Sequence, residues 1–222
     1  MKKVIYTALI GDYDNLYTSV VPKLDDWDYI CFTNNKKLKS NFWDIRYIEN
    51  TDNLSNVKLA RKIKIKFDKF VNEYDIILWK DANLIINTDL NLFIKNNLFN
   101  YDLVLSKHFQ RNCIYKEASE LISLNYAKKL DVEKQINSYK KEKYPVNNGL
   151  VETGLMIRRN NNDIKRFCNL WWNEVKKFTH RDQLSFNYVL WKNPLNINII
   201  KSPFRYSREF ILQLHKKERE IK

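Results

Sequence analysis

The stretch Tyr74-Asp75-Ile76-Ile77-Leu78-Trp79-Lys80-Asp81-Ala82-Asn83-Leu84-Ile85-Ile86 decides how the chain is read. Ile76 to Trp79 is a short continuous apolar run, as in a central strand with both faces covered. The run stops on Lys-Asp-Ala-Asn and resumes at Leu84. A buried strand ending in Asp-x-Asn sets two oxygen-bearing side chains at its carboxyl edge, where ligands bind in open α/β sheets. Such a pair suits a hard divalent cation, which can in turn hold a diphosphate. The same triplet also makes an ordinary turn, so its surroundings must decide.

Outward from this strand, strands and helices alternate. Strand-like runs cover 3–10, 28–33, 43–48, 102–106, 151–158 and 197–200. Helical periodicity covers 53–72, 90–97, 115–142, 163–178 and 182–191. In the 53–72 helix Leu59, Ile63, Phe67 and Phe70 share a face, and Lys58, Arg61, Lys62, Lys64 and Lys66 spread over the others. No linker or internal repeat interrupts the order. The expectation is a single α/β domain over 1–222, with a mainly parallel central sheet flanked by helices and a basic tail from about 201.

At 222 residues, with 44% hydrophobic and 14% aromatic side chains, the chain can bury a real core. No run of about 18 apolar residues offers a membrane span. The opening Met-Lys-Lys-Val-Ile-Tyr-Thr-Ala-Leu-Ile meets Gly11-Asp12 too early for a signal peptide and reads as a strand. Cys31, Cys113 and Cys168 are scattered in apolar or helical contexts. They argue for buried thiols in a reducing compartment, against a disulfide framework or a zinc site. The net charge of +13 would attract a nucleotide-sugar, a nucleic acid or an anionic membrane. The basic runs 58–69 and 201–222 lack interleaved aromatics, and no nucleic-acid motif appears, so nucleic acid is not expected.

Five further clusters fall at expected strand ends or loops. Thr7-Ala8 with Gly11-Asp12-Tyr13 offers a close backbone approach and a ring to stack on a base. Arg61 borders the apolar stripe of its helix and suits phosphate, whereas Lys62 and Lys64 read equally well as a solvated face. His108, Arg111, Tyr115 and Glu117 could position a sugar or an acceptor. Gly149 and Gly154, two of only three glycines, bracket Glu152. His180-Arg181-Asp182-Gln183 opens a helix, with Asp182 as a cap or a ligand-facing carboxylate.

Tyr6-Thr7-Ala8-Leu9-Ile10-Gly11-Asp12-Tyr13-Asp14, Trp79-Lys80-Asp81-Ala82-Asn83, the run His108 to Ala118, Gly149-Leu150-Val151-Glu152-Thr153-Gly154, Trp171-Trp172 and Arg181 to Phe186 together resemble one family. It is the glycosyltransferase-like family of the plant mucilage-related galacturonosyltransferase and turgor-regulation-defect proteins, which has many bacterial relatives. The resemblance spans about residues 3–191. It implies a GT-A-like (Rossmann-like) domain that moves a sugar from a nucleotide-diphospho-sugar, UDP-linked by expectation, to a glycan or lipid-linked acceptor in surface polysaccharide synthesis.

On that resemblance, donor binding falls to Thr7, Ala8, Gly11, Asp12, Tyr13, Arg61, Asp81, Ala82 and Asn83. Acceptor or sugar binding falls to His108, Arg111, Glu117, Gly149 and Gly154. A weakly held Mn²⁺ or Mg²⁺ would sit on Asp81, Asn83 and His215. Asn83 is neutral where an Asp-x-Asp would carry a second carboxylate, so Lys80 and Arg61 are expected to share the diphosphate charge. Glu152 or Asp182 would serve as base in an inverting reaction, and Gln183 would stand beside the anomeric carbon in a retaining one. The implied setting is cytoplasmic, with the basic tail able to touch an anionic leaflet. The competing expectation is a non-catalytic basic protein that binds nucleic acid or membrane, which explains the charge but not the carboxylates at strand ends.

Overall fold

The computed structural model describes residues 1–11 and 13–215. Its main sheet has seven strands in the order β3-β2-β1-β4-β7-β6-β8. They are β1 (Lys3–Leu9), β2 (Trp27–Thr33), β3 (Asp44–Tyr47), β4 (Ile76–Lys80), β6 (Leu103–Lys107), β7 (Val151–Arg159) and β8 (Ile197–Ile200). All neighbours run parallel except β7, which is antiparallel to β4 on one side and β6 on the other. The carboxyl ends of six strands and the start of β7 therefore share one edge. This is the mainly parallel α/β sheet expected from the sequence.

Alternation along the strands divides the interior into two cores. Val4 and Tyr6 of β1, with Ile77 and Trp79 of β4, face one side. There they pack on α1 (Asn56–Ile65), α3 (Ile114–Ser123), α4 (Lys129–Lys141), α5 (Asn162–Lys177) and α6 (Asp182–Lys192). Ile5 and Leu78 face the other, under α2 (Leu90–Asn97) and a two-stranded ribbon of β5 (Leu84–Ile86) with β9 (Phe210–Leu212). The fully buried Arg158 donates to the Tyr6 hydroxyl and to Lys64 O (2.7 Å), which pins the last turn of α1 to the sheet.

Several expected boundaries move for local reasons. The helix read over 53–72 starts at Asn56, where Ser55 accepts from Lys58 N (3.3 Å). It ends at Ile65, and a single 3₁₀ turn, Phe67–Lys69, follows. The helix read over 115–142 is two helices, broken where Asn125 takes a positive φ of 54°. The segment after 200, read as a basic tail, is held through Leu212 by the buried rings of Phe204 and Phe210 and by the pairing of β9 with β5. Among the described residues no helix is long and apolar enough to cross a membrane.

Candidate active site

Asp81 follows β4 at the carboxyl edge. Its N–H donates to Gly154 O (2.7 Å) and its Oδ1 accepts from Trp79 Nε1 (2.9 Å). The carboxylate stays 36% exposed. A Cβ on Gly154 would stand 3.2 Å from Asp81 Oδ2, so the missing side chain leaves that oxygen its room.

Behind Asp81 lies a buried ionic network. Lys64 Nζ is 2.6 Å from Asp182 Oδ2 and 4.0 Å from Asp81 Oδ1, and donates to Thr153 Oγ1 (3.0 Å). Thr153 in turn donates to Asp182 Oδ2 (3.1 Å). Arg61 Nε lies 3.3 Å from Asp182 Oδ1. Burial alone would raise the Asp182 pKa, but Lys64 and Arg61 hold it well below the usual carboxylate range. Burial works against the Arg61 charge too, and Asp182 and Asp81 outweigh it. Asp182 opens α6 without capping it, because its carboxylate is spent on these cations. Lys64 is 1% exposed, so it belongs to the site and not to a solvated face. Its spacing of three from Arg61, on one side of a helix, was the signal that could have found it.

An irregularity in β7 aims the next groups. Val104 pairs with Ile157 but Ser106 with Glu152, two steps along β6 against five along β7. Such a bulge re-aims side chains. Thr153 reaches the Lys64 network, and Glu152 turns to Ser106, whose hydroxyl donates to Oε2 (3.4 Å), and to Arg205 Nε, which meets Oε1 at 2.8 Å. Arg205 also lies on the Phe109 ring at 3.8 Å. Burial pushes the Glu152 carboxyl up despite Arg205. Nothing in the sequence around Arg205 signals this contact across the fold.

His108, Arg111 and Glu117 come together as the sequence suggested. Arg111 Nε lies 2.6 Å from Glu117 Oε2, and His108 Nε2 is 3.7 Å from the same oxygen. His108 Nδ1 accepts from the backbone of Gln110 (3.2 Å) and Arg111 (3.1 Å). Burial and the nearby Arg111 and Arg205 press its pKa down to about 4, so the ring is neutral at pH 7. Gln183 Nε2 is occupied with Val151 O (3.2 Å), and Gly149, at φ +84°, sits beside the Asn187 amide.

The expected donor loop is brought close in part. Gly11 N donates to Asn34 Oδ1 (2.9 Å) and takes φ +68°, with Asn56 Nδ2 only 2.6 Å from where a Cβ would be. Tyr13 is exposed, its ring 5.0 Å from His215. Ala8 packs against the α1-side core. Thr7 is fully buried, so its side chain does not reach the cleft. Asp12 lies outside the described residues. Lys80 does not line the cleft either: it is buried in the second core, bonded to backbone carbonyls, so it cannot share diphosphate charge.

The residues assigned to a cation are only partly assembled. Asn83 Nδ2 donates to Gln213 O (2.8 Å) and lies 3.4 Å from His215 Nδ1, which meets Asp14 Oδ2 at 2.6 Å. Ala82, between Asp81 and Asn83, is buried. Among the described residues no cluster of three or more His, Cys, Asp or Glu could hold a metal. Two carboxylates, an amide oxygen and an imidazole are nonetheless donors that a hard or borderline divalent cation accepts. Asp81, Asp14 and His215 do not gather as one centre here, so a cation on Asp81 would need ligand oxygens for most of its shell.

Comparison with known proteins bears on the family and the fold. A family model described as TOD1/MUCI70, glycosyltransferase-like domain, matches residues 31–213. The chain is 28% identical over 156 residues to "Probable hexosyltransferase MUCI70" of Arabidopsis thaliana, covering 64% of this chain and 27% of that protein's length. Among solved structures, the WbbM bifunctional glycosyltransferase in its apo form superposes with a TM-score of 0.52 at 9% identity, over 90% of this chain and 38% of that one. A glycosyltransferase involved in glycosylation of the major capsid of PBCV-1 gives 0.41 at 11% identity, over 72% of this chain and 66% of that one.

Proposed function

Given that the chain belongs to the TOD1/MUCI70 glycosyltransferase-like family, we propose that it transfers a hexose or hexuronic acid from a UDP-linked sugar to a glycan or lipid-linked acceptor of a surface polysaccharide. The observation that carries this reading is the carboxylate of Asp81, left partly exposed at the sheet edge against Gly154 and backed by the Arg61–Lys64–Asp182 network.

In this reading the donor base lies by Tyr13 and the diphosphate by Asp81 and Arg61. A divalent cation, held by Asp81 with Asn83 and His215, would supply charge neutralisation at the diphosphate. Arg61 stays protonated in its acidic surroundings and so offers a fixed positive field there. The acceptor hydroxyl forms the new bond to the anomeric carbon as the bond from that carbon to the diphosphate oxygen breaks. Its proton passes to Glu152, the carboxylate whose burial leaves it the better proton acceptor. Asp182, clamped by two cations, is a weak base and acts as an anchor. Glu152 as base corresponds to inversion at the sugar. The basic surface is suited to docking at an anionic leaflet where lipid-linked acceptors lie.

A thermal-shift screen of nucleoside diphosphates and nucleotide-sugars, each with and without Mn²⁺, tests this reading. Ligand at a hundredfold over its dissociation constant adds about 2.7 kcal/mol. A selective shift with UDP or a UDP-sugar is expected. No shift with any nucleotide would return the chain to a basic binding protein.

A further inference from the structure

Lys80 is the last residue of β4, next to Asp81, yet its side chain enters the second core and is 1% exposed. Its ammonium lies over the Trp43 ring at 4.9 Å. It donates to Leu84 O (2.7 Å), Tyr17 O (3.3 Å) and Ala82 O (3.5 Å). Two of these carbonyls belong to the turn and strand that follow Asp81, and the third belongs to the loop after β1. That loop is stitched to the same strand elsewhere: Tyr17 N donates to Ala82 O (3.3 Å), and Val20 N (3.1 Å) and Ser19 Oγ (2.8 Å) donate to Ile86 O. Trp43 Nε1 gives Tyr17 O a second donor (3.2 Å). The loop carries Tyr13 and Asp14, and the turn carries Asp81 and Asn83, so the one Nζ bonds both segments.

Burying an ammonium is expensive, and a linear apolar side chain of similar length would fill the same space without that cost. Packing therefore gives no account of a lysine here. Directed bonds to carbonyls from two separate segments do, because Nζ is a donor and the carbonyls have few alternatives in a dry core.

We propose that Lys80 is a positioning residue of the donor site: its ammonium sets the gap between the loop 13–21 and the Asp81–Asn83 turn. It thereby fixes where a nucleotide's base and ribose lie relative to its diphosphate. The part concerning the nucleotide rests on the donor-site reading above, whereas the hold on the loop does not.

The test compares the wild type with Lys80→Met in three measurements: urea unfolding, amide hydrogen exchange without ligand, and calorimetric binding of UDP. The expected result is a cooperative urea transition that shows a folded variant, faster exchange at Tyr17 and Val20, and UDP affinity lower by about tenfold, the worth of about one hydrogen bond. Unchanged exchange at Tyr17 and Val20 overturns the proposal, whatever UDP does. Faster exchange with unchanged UDP affinity overturns its link to the donor. If wild-type protein binds no UDP, the donor reading fails while the exchange comparison still decides the hold on the loop. Should Lys80→Met not fold, Lys80→Gln, which keeps a neutral donor, takes its place in the same three measurements.

Discussion

Lys64 Nζ lies 2.6 Å from Asp182 Oδ2 in the interior, where the two side chains are 1% and 5% exposed. One comes from the helix before β4 and the other from the first residue of α6, so this pair, with Arg61 beside it on Asp182, ties α1 to α6.

Removing one partner should therefore cost far more than a surface charge. Lys64→Met takes from Asp182 the nearer of its two ion-pair partners and should destabilise the fold by about 3–5 kcal/mol, measured by urea unfolding at pH 7. The pH sign follows from Asp182. Its folded pKa lies below the unfolded value of about 4, so its contribution is complete above that value and is lost as pH falls. Lys64→Met should flatten the acid limb of stability. An unchanged limb would show that Asp182 draws its stabilisation from elsewhere.

Asp81→Asn preserves an acceptor for the Trp79 indole. Stability should stay within about 1 kcal/mol of wild type, while donor turnover disappears. Turnover near the wild-type level would remove Asp81 from the site.

For Glu152, burial raises the folded pKa, so the folded chain holds this proton more tightly than the unfolded one. The associated stability is present below the unfolded value of about 4 and is lost as pH climbs through the folded value. Glu152→Gln should thus be neutral or stabilising at pH 7. Activity should fall by about 10²–10⁴ and lose its rise with pH above the usual carboxylate range. A Gln variant with full activity would rule out Glu152 as base.

Two glycine substitutions should separate site from scaffold. Gly154→Ala needs Asp81 Oδ2 to give by a few tenths of an ångström, so nucleotide affinity should fall while the melting temperature holds. Gly11→Ala meets both a φ of +68° and Asn56 Nδ2 at 2.6 Å, so it should lower the melting temperature itself. Equal effects of the two on melting would contradict this division.

The strand before Asp81 was legible because a buried strand and a helix leave different periods in the sequence. The same holds for β1, β2 and the α5 helix with its inward Phe167 and Trp171. The antiparallel direction of β7 was not legible, since pairing direction leaves no mark on a chain buried on both faces. Asp81, Arg61 and Glu152 stood out through their contexts. Arg205, Asp14 and Thr153 did not, because their partners are distant in sequence: Arg205 meets Glu152 from 53 residues away. Lys64 was misjudged because burial of a lysine depends on a carboxylate that only the fold delivers.

The reversed β7 also bears on how the molecule forms. It lies between β4 and β6, so both strands have an unpaired side until residues 151–159 arrive. A chain made only as far as α4 leaves β4 unpaired on one side and β6 on both, because β8 also follows, and such edges are where nascent sheets pair with the wrong neighbour. Insertion of this one strand joins β4 to β6 and in the same step brings Gly154 to Asp81 and Thr153 to Lys64. The long sequence separation of these pairings predicts slow folding for a domain of this size. Continuity of the sheet and the Asp81–Gly154 and Lys64–Thr153 contacts therefore appear together, late, and on the docking of a single segment.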